Sequence, residues 1–160
     1  MEYTVVTKPR FTLLGLMEHL TDQEDDFEGI WKRFMAYEGQ INPLSVDKAY
    51  YGAYYPNDDK SMDYLAGMLV ENVREAPEGL ALRHVPEARW AVFECTVTTI
   101  GATYDAIFSD WLPTAPYEQI GPNPDAFERY PPNTDSGDTP VLIHIKVRDK
   151  ARARDKEAVT

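Results

Sequence analysis

The sequence predicts an α+β fold built from a strand–helix–strand–strand unit that occurs twice. Two segments carry apolar residues at helical spacing, and each lies between runs whose composition is typical of strands. The two helical segments are related by an offset of 77 residues, which maps Phe27 onto Tyr104. An offset kept across helix and strands indicates an internal duplication. We therefore expect antiparallel sheets with helices on one face and a ligand cleft between two pseudo-twofold halves.

The first unit begins with two extended segments and a helix. Residues 2–8 and 11–18 alternate loosely as strands do, and Thr21-Asp22-Gln23-Glu24 has the pattern of a helix capping box. The helix is expected to end near Gly39, before Asn42-Pro43. Its apolar face consists of Phe27, Ile30, Trp31, Phe34 and Met35.

A tyrosine-rich hairpin completes the first unit. Strands are expected over residues 48–55 and 64–70, joined by the turn residues Pro56-Asn57-Asp58-Asp59. The following Ala76-Pro77-Glu78-Gly79 is typical of a linker, so the second unit is expected to begin near residue 79.

The second unit follows the same order, with strands over 89–96, 126–130 and 141–147 and a helix over 101–112. The offset carries the apolar face of the first helix onto Tyr104, Ile107, Phe108, Trp111 and Leu112. The Pro-rich stretch 113–124 is expected to form an ordered lid or wall. Residues 1–148 are predicted to be one domain, with repeats over about 2–72 and 79–148. Residues 149–160 are predicted to be a charged, flexible tail.

The composition restricts the partners. The net charge of −11 argues against binding to a phosphate backbone and favours cationic or neutral partners. The single cysteine, Cys95, cannot form an internal disulfide, which favours a reducing compartment. The sequence shows neither a signal peptide nor an apolar run long enough to cross a membrane, so a cytoplasmic location is expected.

Motifs for metal, cofactor or phosphate chemistry are weak. His19, His84 and His144 are scattered without ligand spacing, so no metal site and no cofactor are predicted. Cys95 has no histidine nearby in the sequence and is predicted to be a small core residue. No glycine-rich phosphate loop is present.

The strand Asp125–Tyr130 carries a carboxylate in an aromatic surrounding. Alternation places Glu128 on one strand face with Ala126 and Tyr130, and Phe127 on the other face. The offset maps Tyr51 onto Glu128, so these two are expected to face the cleft from opposite sides. A carboxylate among aromatic rings suits a flat, delocalised cation, although a strand Glu that simply faces solvent remains an alternative.

Large aromatic residues elsewhere have two interpretations. Trp31, Phe34, Phe108 and Trp111 lie on apolar helix faces, which favours core packing for all four. Trp111 borders the Pro-rich stretch and is also a candidate for lining a pocket. Trp90 shares a strand face with Val92 and Glu94, which makes it either a pocket aromatic or an edge residue.

Four segments in order resemble the gyrase-inhibitor-like (GyrI-like) small-molecule-binding superfamily. They are Pro86–Phe93, Asp110-Trp111-Leu112-Pro113, Phe127-Glu128-Arg129-Tyr130 and the closing strand 141–147. That superfamily supplies the effector-binding domains of AraC-type and MerR-type multidrug-sensing regulators, and the resemblance covers nearly the whole chain. It implies that Glu128 recognises cationic lipophilic compounds. Tyr51, Trp90, Phe127, Trp111 and Tyr104 are the further ligand-binding residues that it suggests.

The resemblance implies a stand-alone binder of hydrophobic, cationic small molecules that acts in drug or toxin sensing or sequestration. Direct nucleic-acid binding is not expected, because the sequence shows no helix-turn-helix region, and no membrane partner is expected. One alternative is a hydrolase of cyclopropane-containing genotoxins, in which Glu128 positions or activates a water. Another is a gyrase-interacting, inhibitor-like protein. A regulator or gyrase is accordingly the protein partner to test.

Overall fold

A computed structural model describes residues 1–21, 27–133 and 137–151. Nine strands and three short α-helices make up most of these residues. The strands are β1 (Thr4–Lys8), β2 (Phe11–Leu20), β3 (Ser45–Pro56), β4 (Met62–Val70), β5 (Ala81–Val85), β6 (Ala88–Thr96), β7 (Tyr117–Gln119), β8 (Ala126–Tyr130) and β9 (Pro140–Asp149). The helices are α1 (Phe27–Phe34), α2 (Glu38–Ile41) and α3 (Ile100–Ala106), and α3 continues into a π-helical turn at Ile107–Trp111.

The strands pair antiparallel in the order β1-β6-β9-β8-β3-β4-β2-β5, and β7 pairs with the far end of β9. The order β2-β4-β3 on one side mirrors β6-β9-β8 on the other, and the two sides meet where β3 pairs with β8. The outer strand of each half comes from a different part of the chain. The N-terminal strand β1 pairs with β6 of the second half, and β5, which follows the first half, pairs with β2. The predicted α+β class with antiparallel pairing is confirmed, while the duplication itself remains a prediction.

Both faces of the sheet are buried. On the helix side, α1 covers Leu14, Ala66 and Met68, and α3 with its π-turn covers a second core around Phe93 and Ile143. On the other side, Val85 of the edge strand β5 lies in one cluster with Trp90 of β6, although the two strands are far apart in the sheet order. The sheet therefore curls until its ends approach each other.

This curl changes one expectation from the sequence. Alternation correctly places Val141, Ile143 and Ile145 of β9 toward the helices. Because helices were expected on one face only, alternation along β4 places Leu65 on the uncovered face, yet Leu65 is completely buried. The reason is that the opposite face closes over a core of its own.

Three elements were not predicted: α2, β5 and β7. The loop containing the predicted linker 76–79 leads directly into β5, and β7 lies within the Pro-rich stretch that was expected to be a lid or wall. The hairpin of β3 and β4 is confirmed. Most of the predicted capping box at 21–24 and most of the predicted tail at 149–160 lie outside the described residues. Within the described part of the chain, no helix is long and apolar enough to cross a membrane.

Candidate functional site

Glu128 lies in the middle of β8, on the helix side of the sheet, and is only 2% exposed. Three tyrosine hydroxyls donate hydrogen bonds to its carboxylate. Tyr54 donates to Oε1 at 2.9 Å, Tyr104 donates to Oε2 at 2.9 Å, and Tyr130 donates to Oε1 at 3.3 Å. We call this group the Glu128 cluster.

Sheet register and helix packing assemble the cluster. The β3–β8 register places Gly52 beside Glu128 and Tyr54 beside Ala126, so the Tyr54 side chain lies two residue pairs away and on the same face. Tyr104 comes from α3, which packs above β6. Gly52 has no side chain, and the space where a Cβ would lie is occupied by the ring of Tyr64 from β4.

The carboxylate of Glu128 has an unusual electrostatic environment. Burial raises its pKa to about 7, and the hydrogen bonds from the three tyrosines of the cluster act in the opposite direction. Burial and the neighbouring charge of Glu128 hold the pKa of Tyr54 and of Tyr104 well above the usual range, so both phenols stay protonated donors. In the part of the chain that the structure describes, Glu128 forms no ion pair with a Lys, Arg or His.

Two cavities flank the Glu128 cluster, and we call them together the aromatic cleft. The first has a volume of about 460 Å³ and is lined by Trp31, Lys32, Met35, Tyr50, Val97 and Tyr130. The second has a volume of about 300 Å³, and its lining includes Phe27, Tyr54, Tyr104, Phe108 and Asp125. Members of the Glu128 cluster thus form walls of both cavities.

Ring contacts continue from the cluster across the cleft. Trp31 of α1 meets the ring of Tyr130 edge-on at 5.5 Å and donates its indole N–H to the hydroxyl of Tyr64 at 3.0 Å. On the other side, Phe108 stacks on Tyr104 with a centroid distance of 6.2 Å. The cleft therefore presents aromatic surface beside the buried carboxylate of Glu128. Such an arrangement can hold an apolar body together with a positive charge.

The sequence profile of the family described as "Cass2: Integron-associated effector binding protein" matches residues 4–147. The chain belongs to this family. The match extends from β1 to β9 and includes the whole Glu128 cluster. The predicted membership of the GyrI-like effector-binding superfamily is thereby confirmed.

Similar proteins and structures agree with the Cass2 family assignment. The transcriptional regulator BrlR of Pseudomonas aeruginosa is 30% identical over 115 residues, which are 70% of this chain and 42% of BrlR. The chain thus spans less than half the length of this curated relative. The structure of SAV2435 bound to tetraphenylphosphonium superposes with a TM-score of 0.73, at 17% identity over 92% of this chain and 94% of that one.

The effector-binding fold also occurs in a larger assembly. EcmrR in a cryo-EM structure of an EcmrR–DNA complex superposes with a TM-score of 0.70, at 13% identity, and the alignment covers 93% of this chain and 58% of that one. At these identities the structural similarities to SAV2435 and EcmrR show a shared fold.

The six residues proposed from the sequence do not lie together in this Cass2-family structure. Tyr104 contacts Glu128 directly. Tyr51, Trp90 and Phe127 belong to the core on the opposite face of the sheet. The expectation that Tyr51 and Glu128 face each other across the cleft is therefore wrong.

The error has a local cause. In β3 the pairing with β4 shifts register between Ser45 and Tyr50, which indicates a β-bulge. The offset of 77 residues maps Tyr51 onto Glu128, yet the two point to opposite faces, so the offset does not hold along this strand. A one-residue slip in a strand moves every side chain to the other face. The hydroxyl of Tyr51 instead donates to Asp47 at 2.6 Å and accepts from Arg129 at 3.2 Å.

The helix aromatics also separate into two groups. Phe34 and Trp111 are buried in the helix-side cores, as predicted, and Trp111 packs against Tyr3 and Phe93 rather than in the cleft. Phe108 was predicted to be a core residue, but it is 42% exposed and lines the second cavity. A π-helical turn begins at Ile107 and changes which side chains of this segment face the sheet. A prediction from regular helical spacing does not include this change.

Sequence reasoning missed several residues of the site, among them Tyr54, Tyr130, Trp31 and Asp125. Tyr130 carried a signal, since it stands two residues after Glu128 on the same strand face. Tyr54 could be found only from the β3–β8 register, which links residues 74 positions apart. Among the described residues no group of three or more His, Cys, Asp or Glu side chains could hold a metal ion.

Proposed function

We propose that the protein binds lipophilic organic cations in the aromatic cleft and that Glu128 supplies the negative charge that these ligands require. The observation that carries this proposal is the burial of the Glu128 carboxylate next to two aromatic cavities. Among the described side chains, its hydrogen-bond donors are the hydroxyls of three tyrosines. Burial of an ionised carboxylate without a positive partner is unfavourable. A bound cation would supply that partner, so the site is electrostatically prepared for one.

The walls of the cleft suit an apolar cation better than a hydrated one. Trp31, Tyr50 and Tyr130 line the first cavity, and the stacked pair of Tyr104 and Phe108 lies in the second. Aromatic faces attract cations and bury flat apolar groups. The two volumes, about 460 Å³ and 300 Å³, are in the range of small-molecule sites.

The family and the structural neighbours support the same chemistry. The chain belongs to a family of effector-binding proteins, and SAV2435, with the same fold, is bound to tetraphenylphosphonium, an aryl cation. We infer that this chain binds related compounds as effectors in their sensing or sequestration.

The test is a calorimetric titration with tetraphenylphosphonium and with its uncharged analogue triphenylphosphine oxide. Glu128→Gln keeps the shape of the side chain but removes the charge. We expect it to weaken tetraphenylphosphonium binding at least about tenfold, because loss of a buried charge partner costs roughly 2–5 kcal/mol. Binding of the uncharged analogue should change little.

The matched control is Glu94→Gln, which removes one negative charge from an exposed position of β6. This variant should bind like the wild type. Tetraphenylphosphonium affinity of the wild type should also rise about tenfold from pH 6 to pH 8. The ionised fraction of an acid with a pKa of about 7 rises from about a tenth to about nine tenths over that range. Equal affinity of the wild type and Glu128→Gln at pH 8 would refute the proposal.

A further inference from the structure

The second cavity of the cleft contains a carboxylate that a single cation at Glu128 leaves unused. Asp125 immediately precedes β8 and lines this cavity together with Tyr54 and Tyr104. Its main chain is held from two sides: its N–H donates to the carbonyl of Tyr54 at 3.2 Å, and its carbonyl accepts from the N–H of Lys146 at 3.0 Å. These hydrogen bonds fix the position of Asp125 at the cavity wall.

The carboxylate of Asp125 has no cationic side chain at ion-pair distance within the described ranges. The nearby amide of Gln119 donates to the carbonyl of Asp125 at 3.4 Å and not to its carboxylate. Burial raises the pKa of Asp125 to about 6, and a hydrogen bond from its own backbone and the charge of Lys146 act in the opposite direction. Asp125 is thus a second acid in the cleft that lacks a positive partner among these residues.

The two acids share the same pair of neighbouring tyrosines. Asp125 lies three positions before Glu128, just outside β8, and borders the second cavity beside the two tyrosines that donate to Glu128. Tyr54 and Tyr104 lie between the two acids, since both donate to Glu128 and both line the cavity that Asp125 borders. A flat aromatic ligand could therefore contact both tyrosines while each of its ends reaches one carboxylate.

We propose that the cleft prefers flat aromatic dications, with one charged group paired with Glu128 and the other with Asp125. This inference rests on the proposed function, because it requires that cations enter the cleft. It adds a ligand class and a residue that selects that class. Glu128 is required for any cation, whereas Asp125 discriminates in favour of a second charge.

The test compares 4,4′-diamidinobiphenyl with 4-amidinobiphenyl, which share one aromatic framework and carry two charges and one. Calorimetric titrations at pH 8 would use the wild type, Asp125→Asn, Glu128→Gln and the control Asp105→Asn, which removes an exposed carboxylate of α3. The wild type should bind the dication about tenfold more tightly than the monocation. Asp125→Asn should abolish this preference, so that the two ligands bind with about equal affinity, and Asp105→Asn should preserve the preference.

The outcomes separate the two proposals. If Glu128→Gln leaves monocation affinity unchanged, the proposed function fails. If Glu128→Gln weakens the monocation but Asp125→Asn leaves the dication preference intact, or weakens both ligands equally, only the dication inference is overturned.

A measurement on the wild type covers the case in which Asp125→Asn does not fold. The ratio of dication to monocation affinity should rise from about pH 5 to about pH 8 as Asp125 ionises, because the amidinium charges stay constant and Glu128 acts on both ligands. A ratio that stays constant over this range would overturn the inference.

Discussion

Replacing Glu128 by Gln should make the protein more stable than the wild type at alkaline pH, and the advantage should disappear as the pH is lowered. The folded protein raises the pKa of Glu128 from 4.5 to about 7, mainly by burial. Between these two values the folded wild type holds a proton that the unfolded chain has released. The wild type therefore loses stability as the pH rises from about 4.5, and the loss levels off above about pH 7. The glutamine side chain of the variant does not titrate, so the variant does not lose stability in this way.

The magnitude follows from the size of the shift. A difference of about 2.5 pKa units corresponds to roughly 3 kcal/mol, of which about 2 kcal/mol falls between pH 5.5 and pH 8. The lower limit of pH 5.5 keeps the protein above its pI of about 4.6. Asp125, whose pKa of about 6 affects stability in the same direction, is present in both proteins and cancels from the difference.

Urea unfolding at the two pH values measures the effect directly. The quantity of interest is the free energy of unfolding of Glu128→Gln minus that of the wild type, which should increase by about 2 kcal/mol from pH 5.5 to pH 8. Glu94→Gln, an exposed strand variant, should show a difference that does not depend on pH in this way. If the Glu128→Gln difference is the same at both pH values, the buried carboxylate does not titrate as described.

Two further substitutions test the geometry of the site, each with a paired control. In Gly52→Ala the new Cβ would lie 2.8 Å from the ring carbon Cζ of Tyr64, so the free energy of unfolding should fall by about 1–3 kcal/mol. In Gly39→Ala the new Cβ would lie in open space, so this control should be neutral or stabilising by up to about 1 kcal/mol. Similar urea midpoints for Gly52→Ala and Gly39→Ala would contradict the packing described. Phe108→Ala should weaken tetraphenylphosphonium binding about 3–10-fold with little loss of stability, because Phe108 is exposed at the cleft. Trp111→Ala should instead lower the free energy of unfolding by about 3–5 kcal/mol. If Phe108→Ala lowers stability and Trp111→Ala weakens binding, the ligand contacts the side of the helix that carries Trp111.

Local periodicity predicted most of the secondary structure. Apolar spacing identified α1 and the segment of α3, and alternation identified β3, β4, β8 and β9, with the correct side chains of β9 toward the helices. These features depend on residues within one or two turns of each other, so a single sequence contains them. The strands β5 and β7 escaped prediction because they are short and are defined by pairing with distant partners, β2 and β9.

The candidate site was predicted only at its centre. Glu128 was identified from its place between aromatic residues of one strand. Tyr51 was paired with Glu128 by a constant offset, which failed in β3, where the register shifts before Tyr50. The other predicted residues rested on the family resemblance. Phe108 was assigned to the core because the helix was taken as regular, whereas the π-turn from Ile107 turns it toward the cleft.

The amino-acid sequence alone therefore established the α+β class, the order of most elements, and an acid that shares a strand face with Tyr130. Tertiary structure decided which tyrosines hold that acid. Tyr54 reaches Glu128 through the β3–β8 register, and Tyr104 reaches it through the packing of α3 above the sheet. The curl of the sheet placed Tyr51 and Trp90 in a separate core on the other face. Register, helix packing and sheet curvature depend on contacts between residues far apart in the chain, and no local pattern specifies them.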